Sequence, residues 1–188
     1  STTNETREFV FEMIRNSELP MVIDADALTL VADNPKILNE AKAPIVLTPH
    51  PGEMSRLAGI STEEVQANRI GVALDFSTKY NVYLVLKGAR SVISTPQGEI
   101  YINTTGNAGM ASGGMGDVLT GIIGGLLAQR IEPADACTLG VFAHGLAGDL
   151  AAEQSGEAGI IASDVANKLP NAIRKIPKMD DNFITKIR

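Results

Sequence analysis

The sequence predicts an α/β fold with a mostly parallel central sheet flanked by helices, and three observations carry that expectation. Short apolar runs at 21–23, 45–47 and 82–86 alternate with stretches of helical periodicity, the pattern of parallel strands joined by helical crossovers. Polar or charged residues follow each run at once, where open α/β sheets place their ligands. From residue 115 onward the pattern is almost entirely helical.

Composition narrows the function classes. A chain of 188 residues with 44% hydrophobic and 20% charged side chains suits one globular domain with a sizeable core. Lys and Arg total 16 against 22 Asp and Glu, a net charge of −6 with the basic residues scattered. Nucleic acid is therefore not expected as a partner. No apolar run reaches the length of a membrane span, the first residues lack a signal-peptide layout, and a cytoplasmic protein is expected. The single cysteine, Cys137, lies in an apolar helical run and is expected to be a small buried side chain.

Taken in order, 4–15 places Phe9, Val10, Met13 and Ile14 at helical spacing with Thr3 or Asn4 as cap, and Pro20 ends the helix. Met21-Val22-Ile23 reads as a strand with Asp24-Ala25-Asp26 at its carboxyl end. Asp26 suits the cap of the next helical turn, 27–31. Asp24, directly off the strand, is a candidate cleft carboxylate. After the second strand, 45–47, Thr48-Pro49-His50-Pro51-Gly52-Glu53 follows, and its prolines restrict the backbone around His50. That frame makes His50 a candidate ligand contact, while Glu53 reads as a helix start favourable to the dipole of a helix that Gly59 ends.

Ser61-Thr62-Glu63-Glu64 is a capping box opening one long helix to about Tyr80, with Val65, Val72, Ala73 and Phe76 inward. The third strand, 82–86, ends in Lys87-Gly88-Ala89-Arg90-Ser91, where Lys87 reads either as a snorkelling strand-end lysine or as a group that meets a nucleotide phosphate. Residues 92–94 and 100–102 flank a turn and read as an antiparallel hairpin. Pro133 starts a helix to about Gln154, on which Gly140, His144 and Gly148 form a small-residue face. His144 there reads as a satisfied core or interface histidine without chemistry. Ser163-Asp164 caps a last helix that Pro170 is expected to interrupt, and an extended polar tail is expected beyond Pro177.

The most informative stretch is 106–117, Gly-Asn-Ala-Gly-Met-Ala-Ser-Gly-Gly-Met-Gly-Asp, ahead of an apolar run of helical length. A glycine-rich loop opening a helix offers unpaired backbone N–H groups, the positive end of the helix dipole and close backbone approach, which together suit phosphate. Asp117 would repel such a ligand if it only capped the helix; it makes more sense as a base taking a proton from an attacking hydroxyl. Neither a Walker A loop nor G-x-G-x-x-G is present. Asp24, His50, Lys87 and the Gly113–Asp117 loop are expected to converge on one cleft.

The motifs at 48–53, 86–89 (Leu-Lys-Gly-Ala) and 107–117, together and in this order, closely resemble the ADP/ATP-dependent NAD(P)H-hydrate dehydratases of the ribokinase-like superfamily. The likeness runs from Asp24 to about Lys175. The resemblance implies a ribokinase-like three-layer fold and a carbon–oxygen lyase that repairs hydrated NADH or NADPH, with ADP or ATP as co-substrate and Mg²⁺. It implies that Lys87, Gly88, Ala89, Arg90, Ser91 and Gly116 contact the AMP portion of the nucleotide, and that His50, Asn107 and Asp117 contact the hydrated dinucleotide. The amides of Gly113, Gly114, Met115 and Gly116 would form the anion hole, and Asp117 would be catalytic.

Ala108 stands where the family often has proline, which only loosens the loop. The family's chain begins well before this one, so the 188 residues are expected to be a single ribokinase-like domain lacking its first strands, with an N-terminal portion of the same protein as a partner. The resemblance and the small-residue helix face favour a homo-oligomer. Two rivals remain: a ribokinase-like small-molecule kinase, which would release a stable phosphorylated product, and a nucleotide-binding subunit without turnover.

Overall fold

The computed structural model describes residues 2–178 and 184–186. They form two compact units, 2–88 with 92–100, and 89–91 with 101–178 and 184–186.

In the first unit, strands β1 (Met21–Ile23), β2 (Ile45–Leu47), β3 (Tyr83–Leu86) and β4 (Val92–Ser94) stand in that order. β1, β2 and β3 are parallel, with Val22 opposite Val46 and Leu47 opposite Leu84. β4 returns antiparallel, Val85 facing Ile93. Every residue of β2 is buried, as a continuous Ile-Val-Leu run covered on both faces requires. The helices are α1 (Asn4–Asn16), α2 (Asp26–Ala32), α3 (Pro51–Ala58), α4 (Thr62–Ala67) and α5 (Arg69–Tyr80), with a 3₁₀ turn over Pro35–Glu40. α5 packs on β3 and β4, where the buried Ser77 and Ser94 hydroxyls hydrogen-bond at 2.6 Å. A turn at 95–99 follows β4, Thr95 N–H donating to Glu99 O at 3.0 Å with Gly98 at φ 86°.

Two expectations change here. The long helix is two, because Asn68 (φ −141°, ψ 55°) leaves helical geometry and its side chain caps α5, accepting from Gly71 N–H at 3.1 Å. That cap occupies the space a Cβ at residue 71 would need. On α1 only Ile14 is buried, while Phe9 and Met13 are exposed.

In the second unit, β5 (Ile100–Asn103, its last three residues) pairs antiparallel with β6 (Ile184–Lys186), Ile102 opposite Thr185. α6 (Met115–Ala128), α7 (Pro133–Ser155) and α8 (Ala162–Lys175) pack on one another. Most residues of α7 from Ala136 to Ala151 are buried, so it is the central helix. Its small face is filled from within the unit: a Cβ at Gly140 would stand 2.8 Å from Ile123 Cγ1, and one at Gly148 would overlap Met110. That face is therefore used for packing within the unit.

Pro170 does not interrupt α8, correcting the expected break. A proline there deprives the Ala166 carbonyl of its donor, but Ala166 is exposed, so water can replace the lost bond. Of the tail expected to be extended, 179–183 and 187–188 lie outside the described residues, and 184–186 are β6.

Candidate functional site

The first unit brings three of the expected residues together. Thr48 N–H donates to Ile23 O at 3.2 Å and Lys87 N–H to Pro49 O at 2.8 Å, which sets the three strand ends side by side. Lys87 Nζ then lies 2.8 Å from Asp24 Oδ1 and 3.8 Å from Glu53 Oε2. The three side chains are only 20%, 11% and 9% exposed, so one ammonium serves two largely buried carboxylates. Asp24 Oδ1 also accepts from Ala25 N–H at 2.9 Å. Ala25 precedes α2 at φ 52°, ψ −127°, a backbone region that an L side chain rarely adopts, and it makes no side-chain cap. Asp26 is therefore the first residue of α2 and not its cap. Strain of this kind, of order 1–3 kcal/mol, persists where the surroundings over-determine it.

His50 is the N-cap of α3. Its Nδ1 accepts from Gly52 N–H at 3.0 Å and Glu53 N–H at 3.3 Å, and Glu53 Oε2 accepts from His50 N–H at 2.8 Å. This is a capping box with imidazole in the place of the usual hydroxyl. Pro51 holds the first helical position, so α3 begins two residues earlier than Glu53. The remaining ring nitrogen, Nε2, lies 3.5 Å from Glu53 Oε1 and the side chain is about half exposed.

Following Lys87, Gly88 has φ 148°, and a Cβ there would stand 2.9 Å from Arg69 Nη2. That guanidinium donates to Leu86 O at 3.1 Å and Lys87 O at 3.4 Å. Arg90 is also left-handed, at φ 56°. Residues 87–91 thus form an irregular turn whose backbone no regular ladder would produce.

In the second unit, the expected loop-to-helix junction is present. Gly114 (φ 83°) is the N-cap of α6, so Met115, Gly116 and Asp117 are its first three residues. The backbone N–H groups of such a first turn have no partner within the helix. Gly113 and Gly114 are exposed, Met115 is buried and Asp117 is exposed. Upstream, Asn107 caps the 3₁₀ turn Ala108–Met110, its Oδ1 accepting from Gly109 N–H at 3.1 Å. Asp149 of α7 grips the same loop: Oδ2 accepts from Gly106 N–H and Oδ1 from Asn107 Nδ2, both at 2.9 Å. Thr105 Oγ1 donates to Phe142 O at 3.0 Å, and a Cβ on Gly145 would overlap Thr105.

His144 departs from the satisfied core histidine that the sequence suggests. It is buried, and Nε2 makes no hydrogen bond among the described residues. Burial pushes its pKa down to about 4, against a smaller opposing hydrogen bond to the backbone of Met115. Cys137 is buried as expected, and burial raises its thiol pKa to about 12. Glu53 and Asp149 were not singled out from the sequence as site residues. Glu53 carried a signal, its place three residues after the cap; Asp149 carried none, since a helical Asp forty residues away reveals nothing of the loop it holds.

A family model described as NAD(P)H-hydrate dehydratase matches residues 2–171. The chain is 48% identical over 172 residues to the bifunctional NAD(P)H-hydrate repair enzyme of Thermofilum pendens, covering 92% of this chain and 33% of that protein. It is 39% identical over 157 residues to the ADP-dependent (S)-NAD(P)H-hydrate dehydratase of Neisseria meningitidis, covering 82% and 53%. The crystal structure of the ADP/ATP-dependent NAD(P)H-hydrate dehydratase from Bacillus subtilis, co-crystallised with ATP/Mg²⁺, aligns at a TM-score of 0.82 and 30% identity, covering 93% of this chain and 61% of that one. The chain thus spans about a third of the first of these relatives. Among the described residues no helix is long and apolar enough to cross a membrane.

Proposed function

This chain belongs to the NAD(P)H-hydrate dehydratase family, and from that premise we propose that it carries the nucleotide-dependent dehydration of hydrated NADH and NADPH, a carbon–oxygen lyase reaction. The observation that carries the reading is the start of α6: an exposed carboxylate, Asp117, on the third residue of a helix that opens directly from a left-handed glycine. Base and anion-stabilising amides are then supplied by one turn of backbone.

Asp117 takes the proton of the ring hydroxyl as the hydroxyl oxygen attacks the terminal phosphoryl group of ADP or ATP and displaces AMP or ADP. The first-turn amides at 115–117, with the Gly113–Gly114 bend, stabilise charge developing on the transferred phosphoryl oxygens. Phosphate then leaves from the ring carbon, driven by the ring nitrogen's electron pair, and loss of a proton from the adjacent ring carbon restores the dihydropyridine. The dinucleotide is met by His50 and Asn107. Asn107 is preset for that role by Asp149 and Gly109. The segment 87–91 and Gly116 meet the AMP portion.

Lys87 joins the nucleotide segment with its ammonium already paired to Asp24. Mg²⁺ would supply neutralisation of phosphate charge. Among the described residues no group of three or more His, Cys, Asp or Glu is placed to hold a metal, which suits an ion carried largely by the nucleotide's own phosphates.

The test is recovery of reduced-nicotinamide absorbance from hydrated NADH by the full-length protein with Mg²⁺ and either ADP or ATP. Recovery that requires a nucleotide and releases inorganic phosphate supports the reading. A stable phosphorylated product without recovery would replace it with a kinase, and nucleotide binding without turnover with a non-catalytic subunit.

A further inference from the structure

Glu53 does three things at once from a buried position, 8% exposed. Its Oε2 accepts the His50 backbone N–H at 2.8 Å, the same oxygen lies 3.8 Å from Lys87 Nζ, and Oε1 lies 3.5 Å from His50 Nε2. Meanwhile Nδ1 of that ring is occupied as an acceptor by two backbone N–H groups. An imidazole accepting at Nδ1 carries its proton, when neutral, on Nε2. Residue 52 leaves room for the ring in this position: a Cβ at Gly52 would stand 3.0 Å from His50 Cε1. His50 is therefore held on its buried edge while about half of its side chain stays exposed.

We propose that Glu53 is a positioning residue for the dehydration: its buried carboxylate holds the exposed His50 ring in one orientation with the proton on Nε2, and links that ring to the Lys87 end of β3. The chemistry at stake is which edge of the half-exposed ring meets the hydrated dinucleotide, since Nδ1 is taken by backbone donors and Nε2 faces Glu53. This rests on the substrate role given to His50 above. A capping box that only stabilised α3 would need an acceptor for His50 N–H and nothing more, and a glutamine amide oxygen supplies one. Glu53→Gln therefore separates the cap from the charge, because with its oxygen kept at the cap its NH2 would face Nε2 and only a neutral oxygen would face Lys87.

Two readouts on the full-length protein test the idea. In the first, ¹⁵N–¹H correlation spectra of the His50 ring, assigned by their loss in His50→Asn, should show a single Nε2-protonated tautomer in the wild type. Glu53→Gln should show a mixture of tautomers and ring averaging. A single unchanged tautomer in Glu53→Gln overturns the proposal, whatever the kinetics show. In the second, Glu53→Gln should raise KM for hydrated NADH about tenfold with kcat changed less, on the scale of misplacing one substrate contact. An equal loss for nucleotide and dinucleotide, or none for either, overturns the positioning role even if the ring has loosened. Should the wild type not dehydrate hydrated NADH at all, the functional reading fails, while the spectra still decide whether Glu53 fixes the ring.

Discussion

Lys87→Met offers the sharpest physical test of the cluster at the strand ends. The ammonium sits 2.8 Å from Asp24 and 3.8 Å from Glu53, with both carboxylates about one-tenth exposed. At an effective dielectric of about 20, those separations correspond to roughly 6 and roughly 4 kcal/mol of gross attraction. Desolvation of the ammonium offsets several kcal/mol of this in the wild type. Methionine keeps the packing of the lysine stem but strands two carboxylates, so the variant should lose about 3–5 kcal/mol of unfolding free energy, the range for breaking a buried pair from one side. Urea unfolding of the full-length protein, followed by circular dichroism, measures this directly. Asp24→Asn in the same background removes one stranded charge and should return about half of the loss, giving a coupling of at least about 2 kcal/mol in the double-mutant cycle. A Lys87→Met penalty below about 0.5 kcal/mol, or strict additivity with Asp24→Asn, would show that water already solvates these charges and would refute the electrostatic account.

Asp117→Asn should bind ADP or ATP nearly as the wild type does in calorimetry yet lose turnover by about 10²–10⁴, the usual scale for a general base; an active Asn variant sinks the mechanism. His50→Ala should raise KM for hydrated NADH more than it weakens nucleotide binding, and equal effects would remove His50 from the substrate contacts. The pKa of His144 is about 4 in the folded protein against an ordinary value near 6.5. Because the unfolded chain takes up this proton first as pH falls, the contribution is intact above about pH 6.5 and shrinks toward pH 4, by as much as about 3 kcal/mol. Denaturant midpoints between pH 7 and 4.5 should fall less in His144→Phe than in the wild type, and parallel curves would refute it. Gly148→Ala would set a Cβ about 2.8 Å from Met110 Cγ, and overpacking of this kind should cost about 1–3 kcal/mol in urea unfolding; a neutral result would mean that Met110 simply swings aside.

The sequence by itself determined the elements and their chemistry wherever the cause was local. Apolar runs too short for helices became β1 to β3, Thr3 and Ser61 capped α1 and α4, Gly59 ended α3 in the left-handed region, and Gly114 opened α6 with Asp117 in its first turn. These follow from backbone sterics and from hydrogen bonds between residues a few positions apart. It also placed Asp24, His50 and Lys87 at strand ends, since β1, β2 and β3 are parallel and point the same way.

What only the tertiary structure decided depends on pairs distant in the chain. That Lys87 is committed to Asp24, 63 residues earlier, that Asp149 grips Gly106 and Asn107, and that Met110 fills the notch at Gly148 are long-range contacts. No periodicity encodes them. The errors have other causes: Pro170 stays helical because its turn faces water, and the break at Asn68 is a local cap, its side chain accepting from Gly71 N–H three residues on, that the apolar periodicity did not reveal. Residue types and local spacing fix which groups are offered; burial and partner choice, set when the chain packs, fix which are already spent and which remain for a ligand.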